Sequence, residues 1–358
     1  MSASLATIDG IEVHIIGTKD PSFPDAFLDW GPHVHPHRVL GLRSFCWAPS
    51  APHTFKRLLP DLTDVQGLWT FLSLANLRYH RRYGKPYVVT PRGMLDPWAL
   101  GRSRWKKRIV ATWFENAHLH GATCLRATAE MEAEHFRAYG LRQPIAIVPN
   151  GVDIPKLSRV NKHMVSKRRR VLFLSRIHPK KGLPFLLRAW AGLASTHPDW
   201  ELVIAGPDEV GHEKEMRQLA SSLNLPRVQW AGPVHGKAKA ALYESADLFV
   251  LPTHAENFGL VVAEALSYGV PVITTRNAPW SGLASHQCGW WIELTDQSLI
   301  AALRQAMALQ DAERRAMGQR GRAWMEREFG WDRVARDMYE VYQWVVHGGK
   351  PPAVVHLS

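Results

Sequence analysis

The sequence is poor in cysteine and has no long hydrophobic run. Its three cysteines, Cys46, Cys124 and Cys288, are far apart in the 358 residues and lack metal-site spacing. This argues against a disulfide framework and predicts a reducing, cytoplasmic environment. No stretch approaches the roughly 20 apolar residues that cross a bilayer, and the N-terminus lacks the basic and apolar regions of a secretory signal. Any membrane contact is therefore predicted to be peripheral.

Three common phosphate- or metal-binding motifs are also missing. No two glycines stand two residues apart, which excludes the dinucleotide fingerprint G-x-G-x-x-G, and no two aspartates do, which excludes an Asp-x-Asp pair for a divalent metal. The segment 232–238 (GPVHGKA) is one residue short of a P-loop and lacks its Ser/Thr. His33, His35 and His37 alternate, a spacing that can suit a metal, but we interpret them as a solvated loop. Phosphate binding is therefore predicted to be metal-free.

The composition that remains is typical of a folded, two-domain protein. Hydrophobic residues make up 46% of the chain, and Lys+Arg 44 against Asp+Glu 32 gives a net charge of 44 − 32 = +12. Such an excess attracts polyanions: nucleic acid, an anionic membrane surface or phosphorylated substrates. The net charge alone does not distinguish among these three classes of partner.

Short apolar runs alternate with helical patterns along nearly the whole chain. Most of the runs are continuous rather than alternating, which is typical of strands covered on both faces. The predicted strands are Ile11–Ile16, Tyr87–Thr90, Cys124–Ala127, Ile145–Val148, Val171–Leu174, Leu202–Ala205, Val228–Trp230, Leu248–Leu251 and Val270–Thr274. Alternation of strand and helix predicts parallel sheets with crossover helices, an α/β protein.

The pattern divides the chain at a polar, basic segment after the PNGVD sequence of residues 149–153. We predict a first domain over 1–150, a linker over 151–169, a second domain over 170–330, a helix over 331–346 and a flexible tail over 347–358. Two parallel-sheet domains joined by one linker leave a cleft that the carboxyl ends of their strands face.

Charged residues follow two strands of the second domain. Arg176 and Lys181 come directly after the strand VLFL, and they can grip an anion from two sides or simply form a basic surface loop. Glu256 and Glu264 follow the strand LFVLP, on either side of a predicted helix start. Carboxylates there suit sugar and ribose hydroxyls, and helix-start amides suit a phosphate; the alternative is that Glu264 caps or solvates the helix.

A third strand, LVIA, ends at Gly206, where a ligand's phosphates can approach the backbone or a plain turn can follow.

These segments together resemble glycosyltransferase family 4, the retaining transferases of the GT-B fold. The matching text is SRIHPKKGL, VIAGPDE, VQWAGPVHGKAKAALYESADLFVLPTHAENFGLVVAEALSYGVPVI and PNGVD. KPYVVTPRGMLDPWAL and RATAEMEAEHFRAYG in the first domain resemble the branch that builds bacterial surface polysaccharides, exopolysaccharide or lipopolysaccharide.

The resemblance implies two Rossmann-like parallel-sheet domains facing across a cleft, with the acceptor on the first and the donor on the second. It implies transfer of a hexose from a UDP- or GDP-sugar to a growing polysaccharide or a polyprenyl-pyrophosphate-linked oligosaccharide at the inner membrane face, without a metal. FGWDRVARDMYEVYQW resembles the helix that crosses back to the first domain.

The resemblance also implies a role for individual residues. Arg176 and Lys181 would bind the donor diphosphate and stabilise the charge on the leaving group. Glu256 would contact the donor sugar, and Glu264 the ribose. The remaining donor contacts would come from Gly206, from Val234 beside the base, and from Asn257, Phe258, Gly259 and Leu260 beside the distal phosphate and sugar.

Two departures from the family pattern bear on activity. Arg92 stands where many relatives have histidine, so its contact with the donor sugar is a hypothesis. SASLATIDG resembles the tail of the family's first helix, and IEVHIIGT resembles its second strand. We therefore expect about 30 residues of the family pattern, one supersecondary unit with the first strand and the glycine-rich loop, to be missing. The alternative function is therefore a catalytically impaired nucleotide-sugar-binding protein.

The positive charge has two candidate stretches in the first domain. One contains Arg78, Arg81, Arg82 and Lys85; the other is 98–113, basic and flanked by tryptophans, which can lie on anionic lipid or form a solvated helix face. A nucleic-acid-binding protein ranks last, because no nucleic-acid module accompanies the charge.

Overall fold

The computed structural model describes residues 1–19, 27, 30, 33–41, 43–156 and 168–357. The chain forms two compact units, Met1–Gly151 together with Trp331–Ser358 (unit 1) and Val152–Gly330 (unit 2). Most of the predicted linker, residues 157–167, lies outside the described residues.

Strands and helices alternate through both units. The strands are β1 Ile15–Lys19, β2 Val34–Arg38, β3 Thr63–Gln66, β4 Tyr87–Thr90, β5 Cys124–Ala127, β6 Ile145–Ile147, β7 Arg169–Leu174, β8 Trp200–Ala205, β9 Val228–Gly232, β10 Leu248–Leu251, β11 Val272–Thr275, β12 Gly289–Ile292 and β13 Val355–His356. The helices are α1 Ser2–Leu5, α2 Ala51–Leu58, α3 Phe71–Tyr83, α4 Pro97–Gly101, α5 Arg104–Val110, α6 Asn116–Gly121, α7 Glu130–Ala138, α8 Leu183–Leu193, α9 His212–Ser222, α10 Gly236–Ser245, α11 Leu260–Ser267, α12 Gly282–Ser285, α13 Asp296–Ala308, α14 Asp311–Glu328 and α15 Trp331–His347.

Unit 2 is a parallel sheet in the order β12-β11-β10-β7-β8-β9, with helices between successive strands. Its central strands are mostly apolar because both faces are covered; Val171, Leu172 and Phe173 of β7 are fully buried. The chain runs from β7 outward to β9 and then returns to β10, which pairs with the other side of β7. The direction of winding therefore reverses between β7 and β10, which makes this the switch point of the sheet.

Unit 1 contains a five-stranded sheet in the order β13-β6-β5-β4-β3 and a separate parallel pair of β1 and β2. Strands β3 to β6 are parallel, whereas β13 runs antiparallel to β6. Helix α15 contributes Val334, Met338 and Val341 to the core of this unit, where they pack with Val88 of β4. The two units have the parallel sheets that the strand pattern predicts and the Rossmann-like architecture that the family resemblance implies.

The prediction of a flexible tail over 347–358 is wrong at His347, which ends α15, and at Val355–His356, which form β13. Val355 pairs with Ala146 across an antiparallel ladder, and its side chain is buried in the core of unit 1. The glycines and prolines before it suggest a frayed end. However, the edge of β6 offers backbone hydrogen-bond partners, and the Val355 side chain packs into the apolar core of unit 1. Only a tertiary contact makes this short segment a strand.

The prediction of a solvated loop at His33–His37 is also wrong. Residues Val34–Arg38 form β2, paired in register with β1. His37 is buried and its Nδ1 lies 2.8 Å from the Ser50 hydroxyl, while His35 Nε2 lies 3.1 Å from His14 Nδ1. Proline inside the run favours a loop, but a strand with an unpaired edge accommodates it. Within the described ranges, no group of three potential ligands is arranged to hold a metal ion.

Two of the cysteines are buried thiols with a testable reactivity. Burial raises the pKa of Cys124 and of Cys288 to about 12, so both remain protonated at pH 8 and neither is accessible to reagent. We expect iodoacetamide at pH 8 to leave both unmodified in the native protein and to label both after unfolding in guanidinium, as read by peptide mass spectrometry. Labelling of either one in the native protein would contradict its placement in the core.

None of the helices in the described part of the chain combines the length and the hydrophobicity needed to cross a membrane.

Candidate functional site

The loops that leave β7 and β10 meet at the switch point of unit 2. The backbone N–H of His254 donates to the carbonyl of Lys180 (2.8 Å), and the Thr253 hydroxyl donates to the same carbonyl (3.1 Å). Gly182 has φ +67°, and a Cβ there would stand 1.8 Å from the carbonyl oxygen of Pro252. The two loops are therefore fixed against each other by backbone contacts, in the position where open α/β sheets bind ligands.

Lys181 and Glu256 form an ion pair across these two loops. Lys181 ends a short 3-10 turn, Pro179–Lys181, and its Nζ donates to Glu256 Oε1. The two side chains are only 9% and 10% exposed, so each charge depends on the other for compensation. The structure thus brings together two residues that are 75 positions apart in the sequence.

Arg176 lies in the first of these loops but is not part of that pair. Its NH1 donates to Glu209 Oε2 at 2.6 Å, and both side chains are largely exposed. An exposed ion pair contributes at most about 1 kcal/mol, so an incoming anion can replace Glu209. Sequence reasoning missed Glu209; its one signal is its position three residues after Gly206, just beyond the end of β8.

Residues 257–260 lie where α11 begins. Phe258 is buried, and its carbonyl accepts a hydrogen bond from Trp280 Nε1 (2.6 Å). Gly259 has φ +77° and stands directly before the helix, whereas Leu260, its first residue, is exposed. Asn257 is half-buried. Because the Phe258 ring packs in the core, its side chain is not available to a ligand, and the predicted contacts of this segment would come from backbone N–H groups and the positive end of α11.

Glu264 lies one turn into α11 and is partnered by α10. Its Oε1 accepts from Lys239 Nζ (2.6 Å), and its Oε2 from the Tyr243 hydroxyl (2.8 Å). Tyr243 is buried, and burial followed by the Glu264 charge raises its pKa well above the ordinary value, so it stays a hydrogen-bond donor. The apolar run around Glu264 predicts that its charge needs a partner. The partners themselves were missed, although residues 239 and 243 are four apart and share one helix face.

Gly206 and Val234 occupy the ends of β8 and β9. Gly206 has φ +139°, its N–H donates to the Gly232 carbonyl (2.8 Å), and a Cβ there would stand 1.8 Å from the backbone oxygen of Ser175. Close approach of two backbones is thus sufficient reason for this glycine. Val234 is half-buried in the turn between β9 and α10, against the core of unit 2.

Arg92 belongs to unit 1, where it follows β4. Its backbone has φ +53°, and its Nε donates to Gln66 Oε1 (2.8 Å) at the end of the neighbouring β3. Glu132 accepts from the next N–H, that of Gly93, at 2.6 Å. The contact of Arg92 with a donor sugar stays a prediction.

Comparison with known protein families gives the class to which this protein belongs. Two family models match consecutive parts of the chain, a "Glycosyl transferase 4-like domain" over residues 5–151 and "Glycosyl transferases group 1" over residues 156–324. The chain therefore belongs to the glycosyltransferases, with a 4-like domain followed by a group 1 domain.

Curated relatives carry glycosyltransferase names. The chain is 31% identical over 219 residues to the D-inositol 3-phosphate glycosyltransferase of Salinispora tropica, an alignment that spans 55% of this chain and 45% of the relative. It is 31% identical over 222 residues to the phosphatidyl-myo-inositol mannosyltransferase of Mycobacterium leprae, spanning 61% and 58%. The chain thus spans about half the length of these relatives. A GDP-mannose:cellobiosyl-diphosphopolyprenol alpha-mannosyltransferase of Xanthomonas oryzae is 25% identical over 279 residues, 76% of this chain and 71% of that one.

Solved structures share the fold. Sucrose-phosphate synthase from Thermosynechococcus elongatus superposes with a TM-score of 0.78 at 22% identity, covering 97% of this chain and 92% of that one. HepE of Anabaena, solved with UDP and glucose, gives a TM-score of 0.75 at 18% identity and covers 92% and 91%. These likenesses establish the GT-B fold for both parallel-sheet units.

Proposed function

We propose that this chain is a retaining hexosyltransferase that moves a sugar from a UDP- or GDP-sugar to a polysaccharide or a polyprenyl-diphosphate-linked oligosaccharide of the cell envelope. The observation that carries the proposal is the Lys181–Glu256 pair at the switch point. The bond that breaks joins a sugar carbon to a phosphate oxygen, so a cation for the phosphate must stand beside an acceptor for the sugar hydroxyls. This pair supplies both.

The proposed chemistry needs positive charge rather than a protein nucleophile. An ammonium has three N–H donors, so Lys181 can hold the donor phosphate without releasing Glu256. Arg176, once released by Glu209, would approach the same diphosphate as a planar fork. The leaving phosphate would take the proton of the acceptor hydroxyl in a front-face displacement, and the two cations would stabilise the negative charge as it develops. The mechanism as proposed is metal-independent.

Different relatives support different parts of the proposed substrate assignment. HepE has been solved with UDP-glucose, and the Xanthomonas enzyme is named for GDP-mannose as donor and a diphosphopolyprenol-linked acceptor. The reaction is proposed to take place in the cytoplasm, in keeping with thiols that remain unpaired at Cys124 and Cys288.

The donor site can be tested by thermal stabilisation with UDP, GDP and ADP. A nucleotide at about 100 times its dissociation constant adds roughly 2.7 kcal/mol to native stability, and we expect this shift with one of the first two. Glu264→Ala removes the proposed ribose contact and should abolish the shift. Glu326→Ala, a control on α14 that removes a half-exposed carboxylate paired with Arg322, should keep it.

Transfer itself is tested by mass spectrometry of the product from UDP-glucose or GDP-mannose and a polyprenyl-diphosphate oligosaccharide. Retention of the anomeric configuration is read by NMR of that product. A nucleotide shift without transfer to any acceptor would refute the transferase and leave a nucleotide-sugar-binding protein. Absence of a shift with all three nucleotides would overturn the donor site as well.

A further inference from the structure

The most exposed large apolar side chains of the described chain lie together in unit 1. Trp105, Trp113 and Ile109 are 65%, 62% and 58% exposed, the three largest exposed fractions among such residues. All three lie in α5 and in the π-helical turn that continues it, Ala111–Glu115. Large apolar side chains concentrated in this way mark an interaction surface.

The three residues form one row because they are spaced by four. In a helix that spacing keeps side chains on one face. The opposite face is anchored: Phe114 is buried, Val110 packs against the same core cluster, and Lys107 Nζ donates to the carbonyl of Ala99. The apolar row therefore points outward as a consequence of packing.

The π-helical turn is fixed by a buried carboxylate. Glu115 is fully buried and accepts from the Trp69 N–H (2.6 Å), while its other oxygen lies 2.9 Å from His118 Nδ1. This anchor ends the segment in a defined orientation. The exposed row is thus held by a rigid support rather than by a loop.

Charge around the row is of one sign. Residues 97–114 contain five Lys or Arg and no Asp or Glu. Arg104, Lys106 and Arg108 are exposed and flank the row, and Ile109, Thr112, Trp113 and Arg108 line an open groove beside it. Helices that lie in the interface of an anionic bilayer typically carry basic residues on the polar face and tryptophan beside them, as this segment does.

We propose that α5 and its π-helical continuation are a membrane-docking surface, and that its partner is an anionic lipid bilayer. Trp105, Ile109 and Trp113 enter the headgroup boundary, where indole is preferred, while Arg104, Lys106 and Arg108 contact lipid phosphates. This surface goes beyond the proposed transfer reaction and can be tested without substrate.

The test is sedimentation of the full chain with vesicles, either phosphatidylcholine alone or an equal mixture with phosphatidylglycerol. We expect binding only to the anionic vesicles, weakened by salt. Lys106→Gln/Arg108→Gln should lower the partition coefficient roughly thirtyfold, as expected for two interfacial charges. Trp105→Ser/Ile109→Ser/Trp113→Ser should lower it by roughly tenfold or more. Brominated lipids should quench the fluorescence of the unsubstituted protein and of the glutamine variant at saturation, but not that of the serine variant.

Control experiments distinguish a lipid bilayer from other partners that could bind this face, such as a second copy of the chain or a nucleic acid. Leu357→Ser, which removes a residue of unit 1 that is 56% exposed, should leave vesicle binding unchanged, and circular dichroism should show every variant folded. Equal binding to neutral and anionic vesicles, or unchanged binding of the serine variant, would overturn the proposal. So would self-association in sedimentation velocity that the serine variant abolishes, or tighter binding to random duplex DNA than to anionic vesicles at the same salt.

Discussion

Replacing Lys181 by Met is expected to destabilise the protein by about 3–5 kcal/mol and to lower kcat for sugar transfer by about 10²–10³. The stability loss follows because Glu256, with its side chain 10% exposed, keeps a buried charge without its ammonium partner. Urea unfolding followed by tryptophan fluorescence measures the change in the unfolding midpoint.

A double variant separates the structural role of the pair from its chemical role. Lys181→Met/Glu256→Leu replaces both charges by apolar side chains of similar volume, so stability should return to within about 1 kcal/mol of the starting protein. The coupling free energy between the two sites should be 2 kcal/mol or more, toward the top of the range for residues in contact. Additive losses would contradict the ion pair.

Activity should not recover together with stability in this series. Without the cation at the leaving phosphate, kcat should fall by about 10²–10³, as it does when one electrostatic stabiliser is removed. The double variant should therefore be stable and still inactive. If the double variant recovers transfer, Lys181 has a purely structural role and the proposed mechanism is wrong.

Gly206→Ala is expected to cost about 4 kcal/mol or more and to prevent stable folding of unit 2, because the new Cβ would stand 1.8 Å from the backbone oxygen of Ser175. The three atoms nearest to the new Cβ all belong to the backbone of Ser175 and Arg176, so no flexible side chain can move aside. In addition, φ +139° is unfavourable for any residue with a Cβ. Soluble yield and the thermal unfolding midpoint measure the loss.

Gly232 provides the matched control for Gly206. It accepts the hydrogen bond from Gly206 N–H and also has positive φ, +68°, but a Cβ there meets no atom within 4 Å. Gly232→Ala should therefore cost only the roughly 1–2 kcal/mol of a left-handed backbone. If Gly206→Ala folds normally but no longer responds to any nucleotide, the glycine serves the ligand rather than the sheet.

Many strands of both units can be predicted from sequence because they are short apolar runs of consecutive residues. Tyr87–Thr90, Cys124–Ala127 and Leu248–Leu251 match their predictions residue for residue, and most of the others differ by one or two residues at an end. Among the predicted strands, the largest displacement is in unit 1, where Ile11–Ile16 is predicted and Ile15–Lys19 is observed, and the strands β2, β3, β12 and β13 were not predicted. The displaced strand, β1, is half-exposed, so its apolar pattern defines it poorly.

Which side chains the predicted site residues contact could not be predicted without the tertiary structure. The sequence places Lys181 and Glu256 after two different strands, and only the return of the chain from β9 to β10 makes those strands neighbours. Likewise, the position of Glu264 inside an apolar helix predicts that its charge needs a partner. That the partners are Lys239 and Tyr243 follows only from the packing of α10 against α11.

By itself, the sequence determined the α/β class, the positions of the charged loops and the glycosyltransferase resemblance, because hydrophobic periodicity and residue type are local properties of the chain. Tertiary structure alone decided which side chains meet. It turned the tail into β13 and His33–His37 into part of β2, since each gained an open strand edge to pair with. It also aligned Trp105, Ile109 and Trp113 on an unburied face, because burial of Phe114 and Glu115 fixes which side of the helix is exposed.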